Sequence, residues 1–168
     1  MAPSYASIQP KTLIFDTGPL WELFLFQAVH DYKFSRLGNL LKHVKTRTQF
    51  RKLTAYIEGF TRITTTPLVV AEVSYWIGEA EKRTPRGAVW AIAFEQFFQM
   101  HMDERLIKLL EMPKEIVVRF GATDASVLQL GLSMLPERPV ILTVERPILG
   151  ICQSHQLEAI HIESVIWN

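Results

Sequence analysis

The sequence predicts an α/β fold: a five-stranded parallel sheet covered by helices on both faces, a three-layer α/β/α sandwich. Three observations predict it. Short apolar runs recur along the chain, each strand-length and no longer. Between them lie longer segments whose apolar residues fall at helical spacing. Helix-starting residues follow several of the runs, as at Pro19, Pro67 and Pro147.

Taken in order, residues 1–11 read as an irregular tail with Pro3 and Pro10. Thr12–Phe15 is a short buried strand, and Pro19 suits the first turn of the helix after it. Residues 20–30 are almost wholly apolar, which predicts a deeply packed helix or a subunit contact. Residues 33–57 form one or two helices, with the break at Gly38 and Asn39. Arg62–Thr66 is rich in β-branched residues and reads as the second strand. Pro67 opens a helix carrying Val69, Val73, Trp76 and Ala80 on one face, and Thr84-Pro85 ends it. Residues 86–111 are helical in pattern, with Trp90, Phe94, Phe97 and Phe98 as a stripe for core or dimer packing. Glu115–Val118 is the expected third strand. Gly121-Ala122-Thr123-Asp124 opens a helix carrying Leu128, Gly131, Leu132 and Leu135. Pro139–Leu142 is a buried strand, residues 146–157 a helix, and Ala159–Ile162 the last strand. No repeat or linker divides the chain, so one domain is expected over residues 1–168.

Composition narrows the class. At 48% hydrophobic and 21% charged residues the chain is globular and can bury a core without staples. Cys152 is the single cysteine, which excludes a disulfide framework and a cysteine zinc site and reads as a small buried hydrophobe. His30, His43, His101, His155 and His161 show no metal-ligand spacing. The absence of a leader pattern or a bilayer-length apolar stretch leads us to expect a cytoplasmic protein without a membrane partner. Net charge is only +1, yet residues 33–57 carry Lys33, Arg36, Lys42, Lys45, Arg47, Arg51 and Lys52 with no acid, leaving −6 on the rest. Such a segment could guide a polyanion, although charge runs are more commonly solvated helical faces.

Four acids stand where chemistry is expected. Asp16 follows the first strand directly, and Glu145 follows the fourth after Thr143 and Val144. Asp124 falls in the first turn of its helix, where the dipole favours a carboxylate, and Glu72 lies inside the helix that begins at Pro67. Ligands of open parallel sheets bind at the carboxyl ends of the strands, so all four can project over one edge. Close carboxylates raise each other's pKa unless a cation intervenes. Oxygen-only donors suit Mg²⁺ or Mn²⁺, which would activate water for in-line attack on a phosphodiester. Taken singly, each acid has a plainer reading: Asp124 and Glu145 as first-turn carboxylates, Glu72 as a surface glutamate. Order and spacing carry the signal.

Four motifs, in order, resemble the PIN-domain family of metal-dependent ribonucleases. They are Leu13-Ile14-Phe15-Asp16-Thr17-Gly18-Pro19-Leu20, Thr66-Pro67-Leu68-Val69-Val70-Ala71-Glu72-Val73, Gly121-Ala122-Thr123-Asp124-Ala125-Ser126 and Ile141-Leu142-Thr143-Val144-Glu145. The likeness spans about residues 12–162. It implies strand order 3-2-1-4-5, with Asp16, Glu72 and Asp124 as metal ligands, Glu145 as the fourth acid and Thr143 in support. It also implies an RNA substrate and, as in many small relatives, a homodimeric toxin of a type II toxin–antitoxin pair, held by a cognate antitoxin protein. Position 18 is often Asn and position 145 more commonly Asp in that family. Arg146, Arg138, Lys42, Lys45, Arg47 and Arg51 are candidate phosphate contacts.

Two other readings compete. A PIN-like fold that binds RNA or protein without cutting would carry the same motifs. Asp16-Thr17-Gly18 also resembles the catalytic tripeptide of aspartic proteases, which are mostly β and need a second such Asp; this chain has no second Asp-Thr-Gly. Ser126 and Cys152 are assigned no catalytic role, Ser126 instead supporting its helix start.

Overall fold

The computed structural model describes residues 12–85 and 87–167, apart from the side chains at positions 94, 96, 97, 98 and 109. The expected tail at residues 1–11 lies outside the described residues, as do the rings of Phe94, Phe97 and Phe98 in the aromatic stripe.

Strand β1, Thr12–Phe15, is buried at every residue. Asp16 caps the helix that follows, α1 at Thr17–His30, by accepting the Thr17 N–H at 2.7 Å. A short 3-10 turn at Ser35–Leu40 and a loop lead to α2, Arg47–Glu58. Thr46 and Gln49 close a capping box at its start. Strand β2 covers Arg62–Thr65, and Thr66 serves as N-cap of α3, Pro67–Glu81. Then come α4 at Ala88–Gln99, β3 at Asp103–Glu104, α5 at Lys114–Phe120 and α6 at Ala122–Ser133. The chain ends in β4, Val140–Thr143, α7, Arg146–Ser154, β5, Glu158–His161, and α8, Ile162–Trp167.

All pairings are parallel, in the order β3-β2-β1-β4-β5. The expected α/β/α sandwich with order 3-2-1-4-5 is therefore what the chain forms. Central β1 pairs Leu13 with Ile63 on one side and with Val140 on the other. Its flanking strands come from distant parts of the chain, which requires helical crossovers rather than hairpins.

Several expected elements move. Glu115–Val118 is not a strand but part of α5, started after Pro113 and stopped by Gly121. A short run of Ile116, Val117 and Val118 suits either structure, and packing of α5 on α6 decides for helix. The third strand is instead the exposed pair Asp103–Glu104. It is held by the Thr64 hydroxyl on the Asp103 carbonyl at 3.0 Å and by Arg62 near the Asp103 carboxylate at 3.6 Å. The helix expected over 86–111 stops at Gln99, and His101 turns the chain at φ 46°. In the basic segment Gly38 and Asn39 lie within the 3-10 turn, and the break falls after it, in the loop before Thr46.

Helix α1 is packed inside this one chain. Leu20, Leu23, Phe24, Leu25, Phe26 and Ala28 belong to the buried core, as a deeply packed helix requires, while Trp21 and Val29 are only partly buried. Cys152 is buried as expected, and burial lifts its thiol to about 11. Among the described residues no helix is long and apolar enough to cross a membrane.

Candidate functional site

Strands β1 and β4 are neighbours whose crossovers leave in opposite directions, β1 toward β2 and β4 toward β5. That arrangement opens a crevice at their carboxyl ends. Asp16 and Glu145 stand at this point, each one or two residues beyond its strand.

Asp16 is buried, with both carboxylate oxygens engaged. Oδ1 accepts the Thr17 N–H at 2.7 Å, and Oδ2 accepts the Thr143 hydroxyl at 2.6 Å. The Thr143 oxygen in turn accepts the Glu145 N–H at 2.9 Å. Thr17 donates its hydroxyl to Glu72 Oε2 at 2.8 Å, tying α1 to α3. Half-buried Asp124 stands in the first turn of α6. Gly121 allows that turn, because its φ of 99° and ψ of 169° join α5 directly to α6 in a conformation other residues avoid.

The electrostatics bind these acids into one group. Burial raises the Asp16 carboxyl to about 6, helped by the charges of Glu72 and Glu145 and opposed by the bonds from Thr143 and Thr17. Burial likewise raises Asp124 to about 7, with Asp16, Glu145 and Glu72 adding to it. Among the described residues, however, no three His, Cys, Asp or Glu side chains stand close enough to hold a metal ion as they lie. Glu72 is turned to Thr17, and Glu145 points into the exposed rim. Both are long side chains that can change rotamer without backbone movement.

Supporting residues inside and outside the sequence motifs complete the site. The Ser126 hydroxyl bonds the Thr123 carbonyl at 2.7 Å and the Thr66 hydroxyl at 2.7 Å. It thereby supports its own helix start and locks the first turn of α3 to that of α6. Glu22 is buried in α1 and accepts the backbone N–H groups of Lys42, His43 and Val44 at 2.9–3.3 Å. A lone acid amid the apolar run 20–28 was the available signal for it, since a buried charge needs donors. Gly18 lies so close to β4 that an added Cβ would run into the Val144 side chain. His161 donates from Nε2 to the Val144 carbonyl at 2.8 Å while its Nδ1 accepts the Glu163 N–H, which fixes the same loop.

The candidate phosphate contacts separate. Lys42 lines a cleft beside Glu145. Arg146 is near Glu163 at 3.5 Å, and Arg47 is paired with Asp31 at 2.8 Å. Lys45 and Arg51 are exposed in and after the loop before α2. Arg138 precedes β4 and so lies at the opposite edge of the sheet, away from the acids. The Asp-Thr-Gly tripeptide sits at the start of α1 beside an all-parallel sheet, not in the mostly β protein a protease reading requires. No protein-family model and no curated protein matches this chain.

Proposed function

We propose that this protein is a metal-dependent endoribonuclease that hydrolyses RNA phosphodiester bonds with Mg²⁺ or Mn²⁺. One observation carries the reading: a buried carboxyl at the sheet's switch point, raised to about 6 by burial and by the neighbouring acids Glu72 and Glu145. Such a group is costly when ionised alone and becomes favourable beside a divalent cation. The donor set is hard oxygen, which matches Mg²⁺ or Mn²⁺. Asp16, Glu72 and Asp124 would hold the ion, with Glu145 joining from the exposed side. An ion bound there would supply charge against phosphoryl oxygens and would acidify a bound water. Thr143 orients Asp16, and the α6 N-terminus adds a favourable dipole at Asp124. The narrower role, a cytoplasmic toxin restrained by an antitoxin and acting as a dimer, rests on the resemblance of the four motifs.

The spacing of the acids as they lie favours a second reading, a module of the same fold that binds RNA or protein without cutting. One experiment separates them. A mixed RNA pool is incubated with purified protein in Mg²⁺, Mn²⁺ or EDTA, beside Asp16→Asn. Cleavage that needs both metal and Asp16 supports the nuclease. Intact RNA in every tube, with protein shown folded by circular dichroism, supports the binding module.

A further inference from the structure

We infer that the cleft beside Glu145 is a nucleobase subsite, which seats an unpaired base next to the phosphate held at the acids. The inference rests on the nuclease reading for its position, and on the cleft's own chemistry for its ligand. The cleft has a volume of about 320 Å³, within the range of small-ligand pockets. Gly18, Val144 and Glu145 are among its lining residues, so it lies beside the crevice between β1 and β4.

Two aromatic rings build one wall. Trp21 of α1 and Trp76 of α3 meet edge to face, with centroids 5.9 Å apart at 72°. Both are only half-buried, which leaves ring surface open to the cleft. Partly exposed indoles in a polar-rimmed cleft are a stacking platform, because every base has a π-face. The rim supplies charge. Lys42 and Arg83 line the cleft, and neither forms an ion pair among the described residues. Of the three acids that line the cleft, Glu22 is engaged by three backbone N–H groups and Glu79 by Lys82 at 2.6 Å, while Glu145 is the one the nuclease reading assigns to the metal. Free cations beside an aromatic wall fit a phosphate chain whose bases are unpaired. A duplex keeps its bases stacked inward and cannot offer one.

The wall is also fixed in advance. Glu22 pins the backbone at Lys42, His43 and Val44, so the loop carrying Lys42 needs little ordering when a ligand arrives.

The test is a binding titration in EDTA, which is independent of cleavage. The probe is a short fluorescein-labelled single-stranded RNA, compared with the same strand carrying abasic positions and with a duplex. Trp76→Ala should weaken binding of the intact single strand roughly five- to a hundredfold, and Trp76→Phe by less than about threefold. The abasic strand should bind wild-type protein about as weakly as the intact strand binds Trp76→Ala, and it needs no variant to fold. Equal binding of intact and abasic strands by wild-type protein overturns the subsite, as does no binding of either by folded protein. Cleavage in Mn²⁺ is scored separately. Base-dependent binding without cleavage would remove the nuclease reading and keep the subsite. Cleavage dependent on Asp16 but indifferent to Trp76 and to the bases would do the reverse.

Discussion

Thr143 donates its hydroxyl to Asp16 Oδ2 at 2.6 Å while accepting the Glu145 N–H at 2.9 Å. One small side chain thus aims a buried carboxylate and fixes the backbone of a second acid. Thr143→Val removes both bonds and leaves two polar groups without partners. We expect a loss of roughly 1–3 kcal/mol in unfolding free energy. Thr143→Ser should recover most of it. An unchanged denaturant midpoint in the valine variant would show that the bond contributes nothing.

The carboxyls of Asp16 and Asp124 titrate upward in the folded protein, to about 6 and about 7. The sign follows. Between about pH 4 and pH 7 the folded state binds more protons than the unfolded chain, so these groups make stability fall as pH rises. The penalty is absent below the ordinary carboxyl pKa; at Asp16 it is nearly complete by about pH 7, and at Asp124 it goes on growing through that pH. At Asp16 it is on the order of 3 kcal/mol. In EDTA, Asp16→Asn should therefore gain on wild type in thermal midpoint from pH 4.5 to 7.5, and Mn²⁺ should raise wild type most at the upper end. A constant difference across that range would contradict the assignment.

Gly18 has no room for a side chain because Val144 fills the space. Gly18→Ala should destabilise by roughly 1–3 kcal/mol, the usual cost of overpacking. The double variant with Val144→Ala should restore part of the loss, since it vacates the same volume. A non-additive double-mutant cycle by chemical denaturation is the readout.

Glu22 holds three consecutive N–H groups of the loop before α2. Glu22→Gln keeps the size but replaces charge-assisted bonds with weaker ones. Amide exchange at Lys42, His43 and Val44 should accelerate while the central strands stay protected. Uniform acceleration across the whole chain would mean global destabilisation instead.

Much of this architecture is legible in the chain itself. Leu13, Ile14 and Phe15, or Val140, Ile141 and Leu142, are buried on both faces, so each strand reads as a continuous apolar run. Asp103 and Glu104 carry no such mark. They pair at an exposed edge, helped by Thr64 and Arg62 from a strand 39 or more residues away, and composition is silent about it. The acids Asp16 and Glu145 were legible because each follows a buried strand. The bond between two of their supports is not: Thr66 and Ser126 are 60 residues apart and meet only once the sheet has formed. Glu22 looked like one polar residue in an apolar helix, because its donors come from a loop whose path the sequence does not reveal.

The chain separates Asp16 from Thr143 by 127 residues, and β1 gains its β4 neighbour only when Val140–Thr143 arrives. During synthesis the first strand therefore leaves the ribosome long before its partner exists, and non-local parallel pairing of this kind is slow to form. Until then the Asp16 carboxylate lacks the hydroxyl that aims it. Whatever this site does to other molecules, a nascent chain that stops short of Val140–Thr143 cannot do it.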